Sequence, residues 1–476
     1  MTVQRREFIS GLGVFAAAGA MGPVMRAFAA VADDAAHPLG AYWAAHLSAV
    51  AEKVRSHAKT ATDGFWFITD LHVTGNCLQS GKALAALTSL TPLRKTFCGG
   101  DLPGAFNGER FESDKAAVDF AVEVYRSFWR DPIERAGQRL YMAKGNHDFT
   151  IKHDAETPAG YTCSAEAARA IVMGTKGCAE AVTNDADPTA CYYYVDQEAA
   201  KIRYIVADTS DSINATRSWW AVVYGMGLTQ LNWLASRALA TLPAGWGAVV
   251  IHHIPLTGCV GYEDERRLFA PFRELLEAYQ NRGRTTISGT TYDFTAARGR
   301  ILLDLTGHYH AERQTFQNGI LHVTEPCDAA CEDYILGSMP WCGELPRKKR
   351  GRVSEQTFDA VQLDVVRDLV YFTRVGGGQD RTIHLSASTV TEGMTSRFDA
   401  SLLEGPLTWG CYDADRIAHT PNPKNRYNPF ISYFNEYATI AADGTLTAKK
   451  AGEVMVVAMD ARLNKEIFPV RIARRA

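Results

Sequence analysis

Eight side chains that can hold a cation or move a proton stand in five short polar stretches: Asp70 and His72, Asp101, Asn146 with His147, His253, and His308 with His310. They are imidazoles, carboxylates and one amide, so the set offers only nitrogen and oxygen. Such ligands suit zinc, iron, manganese or a related divalent ion, and the lack of thiolates argues against a structural zinc site. Eight groups exceed the needs of one metal. Two ions held roughly 3.5 to 4 Å apart, with one carboxylate bridging them, would use the set.

Each stretch follows a short apolar run that reads as a buried strand. Residues 64–69 lead into Asp70-Leu71-His72, and residues 95–98 into Gly99-Gly100-Asp101. Residues 139–143 precede Gly145-Asn146-His147-Asp148; residues 248–251 run into His252, His253, Ile254 and Pro255; residues 301–305 end in Gly307-His308-Tyr309-His310. Asp70 and His72 are two apart and so point to the same side. Helical spacing recurs between these runs, with Trp43, Leu47, Val50 and Val54 before the first and further periods at 80–90, about 113–130 and 266–279. Strand alternating with helix predicts an α/β domain with a largely parallel sheet, and polar groups at the strand ends converge on one edge of it.

In this order and setting the blocks resemble the calcineurin-like metallophosphoesterase family, whose motifs are DxH, GD, GNH, a single His near a Pro, and GHxH. All five are present across residues 65–310, and the Gln230-Leu231-Asn232-Trp233-Leu234 and 374–381 segments also look like members of that family. The resemblance implies an α/β/β/α sandwich with two mixed sheets. It implies that Asp70, His72 and His310 bind a first metal, that Asn146, His253 and His308 bind a second, and that Asp101 bridges. His252 competes with His253, which is preferred because the family's ligand lies two residues before the proline. His147 matches the residue that contacts the substrate phosphoryl group, with Asp148 as its helper. Two departures stand out: Leu102-Pro103-Gly104 replaces the polar residues that often follow GD, and neither DLH nor the GGD loop supplies the tyrosine of the purple acid phosphatases.

The chain has 476 residues and a net charge of −3, with no basic footprint for nucleic acid. Its N-terminus carries Arg5-Arg6 before an apolar Gly/Ala-rich stretch and resembles a twin-arginine export signal over residues 1–32. No other stretch approaches the length of a membrane span. The protein is therefore expected in the periplasm or outside the cell. Ten cysteines fit that address better as disulfides than as metal ligands, with Cys163 paired to Cys178 or Cys191 and Cys327 or Cys331 paired to Cys342 as the pairings considered. The basic segment 347–352 reads as a solvated loop. Residues 33–384 form the expected catalytic domain, and 385–476 resemble a separate, all-β bacterial Ig-like domain, with Asp443-Gly444 suited to a hairpin turn.

A dinuclear site would supply a hydroxide near neutral pH, because metal binding can lower the pKa of water to about 7, and would neutralise charge on phosphoryl oxygens. The expected activity is hydrolysis of phosphomonoesters or phosphodiesters by a metal-bridging hydroxide. The same ligands permit a nucleotide or pyrophosphate hydrolase. A surface binding protein acting through the Ig-like domain is the alternative from another class.

Overall fold

The β-strands that lead to the five polar blocks are buried on both faces, which is why they read as continuous apolar runs without alternation. In a computed structural model, residues 39–72, 77–102, 119, 122, 125–146, 148, 150–151, 161–162, 165–211, 225–257, 267–328, 338–339, 343–344, 348–349, 351–420 and 430–475 are described. The expected export signal and His147 lie outside these residues.

Strands β1 (Asp63–Ile68), β2 (Lys95–Cys98) and β3 (Arg139–Met142) run parallel, with Ile68 opposite Cys98 and Cys98 opposite Met142, so all three end level. Asp70, Asp101 and Asn146 follow those ends. A second sheet contains the antiparallel pair β4 (Tyr193–Gln197) and β5 (Ile202–Val206), then β6 (Gly247–Ile251) and β7 (Arg300–Thr306). It is completed by β8 (Arg313–Gln317) and β9 (Ile320–Thr324), in the order β8-β9-β7-β6-β5-β4. Parallel β6 and β7 also end level, Ile251 opposite Leu305, which puts His253 beside the His308 to His310 turn. Both sheets are mixed, as expected.

The sheets bury their inner faces against each other. Phe65, Phe67 and Phe97 from the first share one core with Tyr204, Val206, Val249, Ile251, Leu303 and Leu305 from the second. Alternate residues Ile205, Ala248 and Val250 face outward. There they meet helices α3 (Leu228–Trp233) and α4 (Ala270–Gln280), through Leu231 and Trp233 and through Phe272, Leu275, Leu276 and Tyr279. Ahead of β1, helix α1 (Trp43–His57) buries Trp43, Leu47, Val50 and Val54, as their spacing predicts; α2 (Cys77–Leu90) follows β1.

The C-terminal strands do not stand apart. The first sheet continues from β1 through β10 (Thr357–Asp364), β11 (Leu369–Gly376) and β12 (Arg381–His384). Beyond β12, strand β13 (Ser388–Thr391) pairs off the main path, and β14 (Thr408–Asp413) and β15 (Gly452–Met459) lead to β16 (Lys465–Ala473). Strand β16 pairs parallel with β12, Lys465 opposite Arg381, so ten strands form one sheet. Residues 385–475 nevertheless have their own apolar core, including Val390, Phe398, Leu446, Val456 and Val470. The continuity closes an edge of β12 that would otherwise present unpaired backbone groups.

A buried ionic network crosses the same seam. Arg381 reaches Glu312, Glu325 Oε1 at 2.6 Å and Asp359 Oδ2 at 2.9 Å; Arg374 holds Asp359 Oδ1 and Glu312 Oε2, both at 2.9 Å; Lys465 holds Glu312 Oε1 at 2.6 Å. Burial opposes ionisation of Glu312, yet Arg381, Lys465 and Arg374 hold its carboxyl below the usual range. Removing one member strands the others' charges. Arg381→Met is expected to cost about 3–5 kcal/mol in urea unfolding of the full chain; a change below about 1 kcal/mol would show that the network is dispensable.

Candidate metal centre

Asp70 sits just past β1 with its two carboxylate oxygens in different surroundings. Oδ2 accepts from Thr69 Oγ1 at 2.6 Å and from the His308 backbone N–H at 3.0 Å. Oδ1 is buried without a hydrogen-bond partner, although His310 Nε2 lies 3.1 Å away and His72 Nε2 3.7 Å. His253 repeats the pattern. Its Nδ1 is 2.7 Å from the Gly99 carbonyl, which can only accept, so Nδ1 carries a proton, and in the neutral imidazole that a metal would require Nε2 presents the lone pair. That Nε2 is buried with no hydrogen-bond partner, 3.1 Å from Asp101 Oδ2. Short approaches without hydrogen-bond geometry mean that these atoms are aimed at a shared centre rather than at each other.

Three sets of ligand atoms follow, each within 4.8 Å: Asp70, His72 and Asp101; Asp101, His253 and His308; and His72, His310 and Cys327. Asp101 belongs to the first two. On Asp70 and on His253 one ligand-type atom is fixed by the protein while the other faces the centre, the arrangement that orients metal ligands. The residues therefore fit a metal site. His72, His253 and His310 with Asp70 and Asp101 would hold the metal, and His308 stands beside His253 with ring centroids 5.1 Å apart. Asn146, also buried, follows Gly145 at the end of β3.

The backbone is bent to make this possible. Asp70, His72, Asp101, His308 and His310 all have φ between 49° and 71°, five of the eleven non-glycine residues with positive φ among those described. That conformation costs an L residue on the order of 1 kcal/mol and concentrates at functional sites. Cross-loop bonds hold it: Asp70 N–H donates to Gly100 O and His72 N–H to Asp101 O, both at 3.0 Å, and Gly307 N–H to His253 O at 3.1 Å. The block glycines are there for closeness. A Cβ at Gly145 would collide with Asp101 Oδ1, and one at Gly307 with Thr69 Oγ1 and Asp70 Oδ2.

Charge explains why a cation belongs here. Burial opposes protonation of His253, but the carboxylates of Asp101 and Asp70 raise its pKa to about 10. Burial likewise opposes charge on Asp70, yet His310 and His72 hold its carboxyl well below the usual range. Positive charge is thus drawn to His253 even as a proton, whereas burial pushes the pKa of His310 down.

His252 points elsewhere. Its Nε2 meets Asp304 Oδ1 at 2.7 Å, and His322 Nδ1 meets Asp304 Oδ2 at 2.6 Å, in a fully buried cluster. Asp148 is also placed differently from a substrate contact. Its carboxylate accepts the backbone N–H groups of Gly145 at 2.7 Å, Leu102 at 2.7 Å and Asp101 at 3.1 Å, so it clamps the GGD loop to the GNHD loop. Asp148→Asn places an amide donor among those N–H groups. It is expected to lower stability by about 1.5–3 kcal/mol in urea unfolding and metal affinity by about 10- to 100-fold in chelator competition; unchanged affinity would contradict the clamp.

The cysteine expectations need correction. Cys178, Cys191 and Cys327 are buried thiols outside any disulfide; Cys163, Cys331 and Cys342 lie outside the described residues. Cys178 and Cys191 lie in the same apolar core as Leu140 and Tyr193, as small apolar residues would. Cys327 instead enters the ligand cluster, which reading by ligand type missed; its position just after β9 was the available signal. Lys348, expected in a solvated loop, is buried and donates to the Cys327 carbonyl at 2.7 Å.

No family model matches the chain, and no curated protein matches it. Among solved structures it is similar to GAP50, the anchor in the inner membrane complex of Plasmodium, at 12% identity and a TM-score of 0.37, covering 66% of this chain and 89% of that one. A predicted phosphoesterase from Streptococcus pneumoniae is matched at 12% identity and a TM-score of 0.23, over 68% and 89% of the two chains. Phosphopantetheinyl hydrolase from Mycobacterium tuberculosis is matched at 15% identity and a TM-score of 0.26, over 56% and 91%. Among the described residues no helix is long and apolar enough to cross a membrane.

Proposed function

We propose that the chain is an exported, dinuclear metal-dependent phosphoesterase of the calcineurin-like metallophosphoesterase type, hydrolysing phosphomonoesters or phosphodiesters. The observation that carries this reading is Asp101, shared between one ligand set with Asp70 and His72 and another with His253 and His308. A carboxylate common to two sets is what two adjacent cations require. Asp70, His72, Asp101, His253, His308 and His310 would hold the ions, manganese, zinc or iron by the ligand types, and the ions when bound would supply Lewis acidity toward water and toward the phosphoryl charge near neutral pH.

The protein's own part is positional. Asp70 and Asp101 set the negative charge, and Thr69 and the His308 N–H fix which Asp70 oxygen faces inward. The Gly99 carbonyl fixes the His253 tautomer. His147, next to Asn146 in sequence, is assigned to the phosphoryl group, where it donates a hydrogen bond or a proton to the leaving oxygen. Asp148 serves by holding two of the loops together rather than by touching substrate. Export through the twin-arginine signal at 1–32, a catalytic region at 33–384 and an Ig-like region at 385–476 complete the proposal.

Hydrolysis of chromogenic mono- and diester phosphates by the mature chain, supplied with manganese, zinc or iron, is the test. Turnover is expected to vanish on chelation, to return with metal, and to fall about a hundredfold or more in His147→Ala. Asn146→Ala is expected to lose turnover together with metal. Turnover that survives chelation, or is unchanged in both variants, would overturn the reading.

A further inference from the structure

Among the described residues, Cys327 is the one ligand-forming side chain in the cluster that the five sequence blocks do not include. We propose that its thiolate is a metal ligand at the cation position served by Asp70, His72 and His310, a step that rests on the dinuclear reading above. Three observations meet here. The Sγ atom lies within 4.8 Å of the ligand nitrogens of His72 and His310, while Asp70 Oδ1, 3.1 Å from His310 Nε2, is buried with no hydrogen-bond partner. Cys327 is 1% exposed, so its thiol is turned into the protein and not toward solvent.

The third observation is how firmly the segment is held. Glu325 N–H donates to Thr306 O at 2.9 Å, and Asp328 N–H donates to Thr69 O at 3.0 Å. Lys348 Nζ donates to the Cys327 carbonyl at 2.7 Å, and Ser80 Oγ donates to Asp328 Oδ2 at 2.5 Å. These bonds tie the segment after β9 to the end of β7 on one side and to the end of β1 on the other. They leave the Cys327 side chain at the junction of the two sheets, where the histidines converge.

In its thiol form Cys327 donates to the Asp70 carbonyl at 2.9 Å. A cation in the cluster favours the thiolate: the S–H proton passes to solvent, the sulfur lone pair turns to the metal, and no oxidant is needed. The consequence is selectivity. A centre of imidazole and carboxylate alone accepts hard ions such as manganese or magnesium, whereas one thiolate shifts preference toward zinc, iron(II) and cobalt(II). The two cation positions are then chemically unequal, the one with His72 and His310 softer than the one with His253 and His308.

Zinc-edge X-ray absorption of the full chain loaded with two zinc ions reads the sulfur directly and needs no variant. A sulfur shell at about 2.3 Å is expected beside nitrogen and oxygen shells. Cobalt loading gives the independent readout: a near-ultraviolet thiolate-to-cobalt charge-transfer band is expected in the wild type and in Cys178→Ser. The band is expected to be lost in Cys327→Ser and Cys327→Ala that retain wild-type circular dichroism. Two bound zinc ions with only nitrogen and oxygen neighbours would overturn the thiolate ligand and leave the dinuclear reading standing. A folded chain that binds neither zinc nor cobalt would overturn both. Should the Cys327 variants fail to fold, the wild-type zinc spectrum alone decides.

Discussion

Two carboxylates buried together at the tips of adjacent parallel strands set the terms for everything else in this protein. Asp70 and Asp101 are almost without solvent exposure, and burying like charges side by side is costly unless positive charge answers them. His72 from the same turn as Asp70, and His253, His308 and His310 from two other turns, collect around them. Without a cation the centre draws protons onto His253; with metal bound, the same carboxylates would serve as ligands. The left-handed backbone at Asp70, His72, Asp101, His308 and His310 coincides with the residues that gather there, as strain concentrates at functional sites.

The surrounding fold serves as a frame for that convergence. Level strand ends in both sheets put the loops at one edge, and the shared core between the sheets fixes the distance across it. Two residues after His310, Glu312 is anchored by Arg374, Arg381 and Lys465. Lys465 lies 153 residues away along the chain, on a strand that extends the first sheet. The C-terminal region is thereby joined both by hydrogen bonds and by charge to the turn that carries two of the histidines.

Much of the site was legible because each polar block follows an apolar run, and because Asp, Asn and His at strand ends are hard to explain as packing. Asp70, His72, Asp101, His253, His308 and His310 could be picked out that way, and the choice between His252 and His253 was a choice between two neighbours that the pleat sends to opposite faces. Other features were beyond reach for a physical reason. Asp148 adjoins the site in sequence, but only the folded loops reveal three backbone N–H groups around its carboxylate. Cys327 carried the same signal of position after a strand, yet a cysteine in a cysteine-rich chain also fits a disulfide, and local pattern does not distinguish the two. The ionic network joins residues far apart in sequence, where local pattern has nothing to say. The continuous sheet was hidden for the same reason: strand pairing between Arg381 and Lys465 is a property of topology, not of the short β-like runs themselves.

The central claim is that Asp101 is shared by two cations. The most direct measurement is a crystal structure of the metal-loaded chain with anomalous diffraction collected at the metal's absorption edge. The account predicts two adjacent anomalous peaks, one beside Asp70, His72 and His310 and the other beside His253 and His308, with Asp101 touching both. A single peak, or two that do not share Asp101, would contradict it.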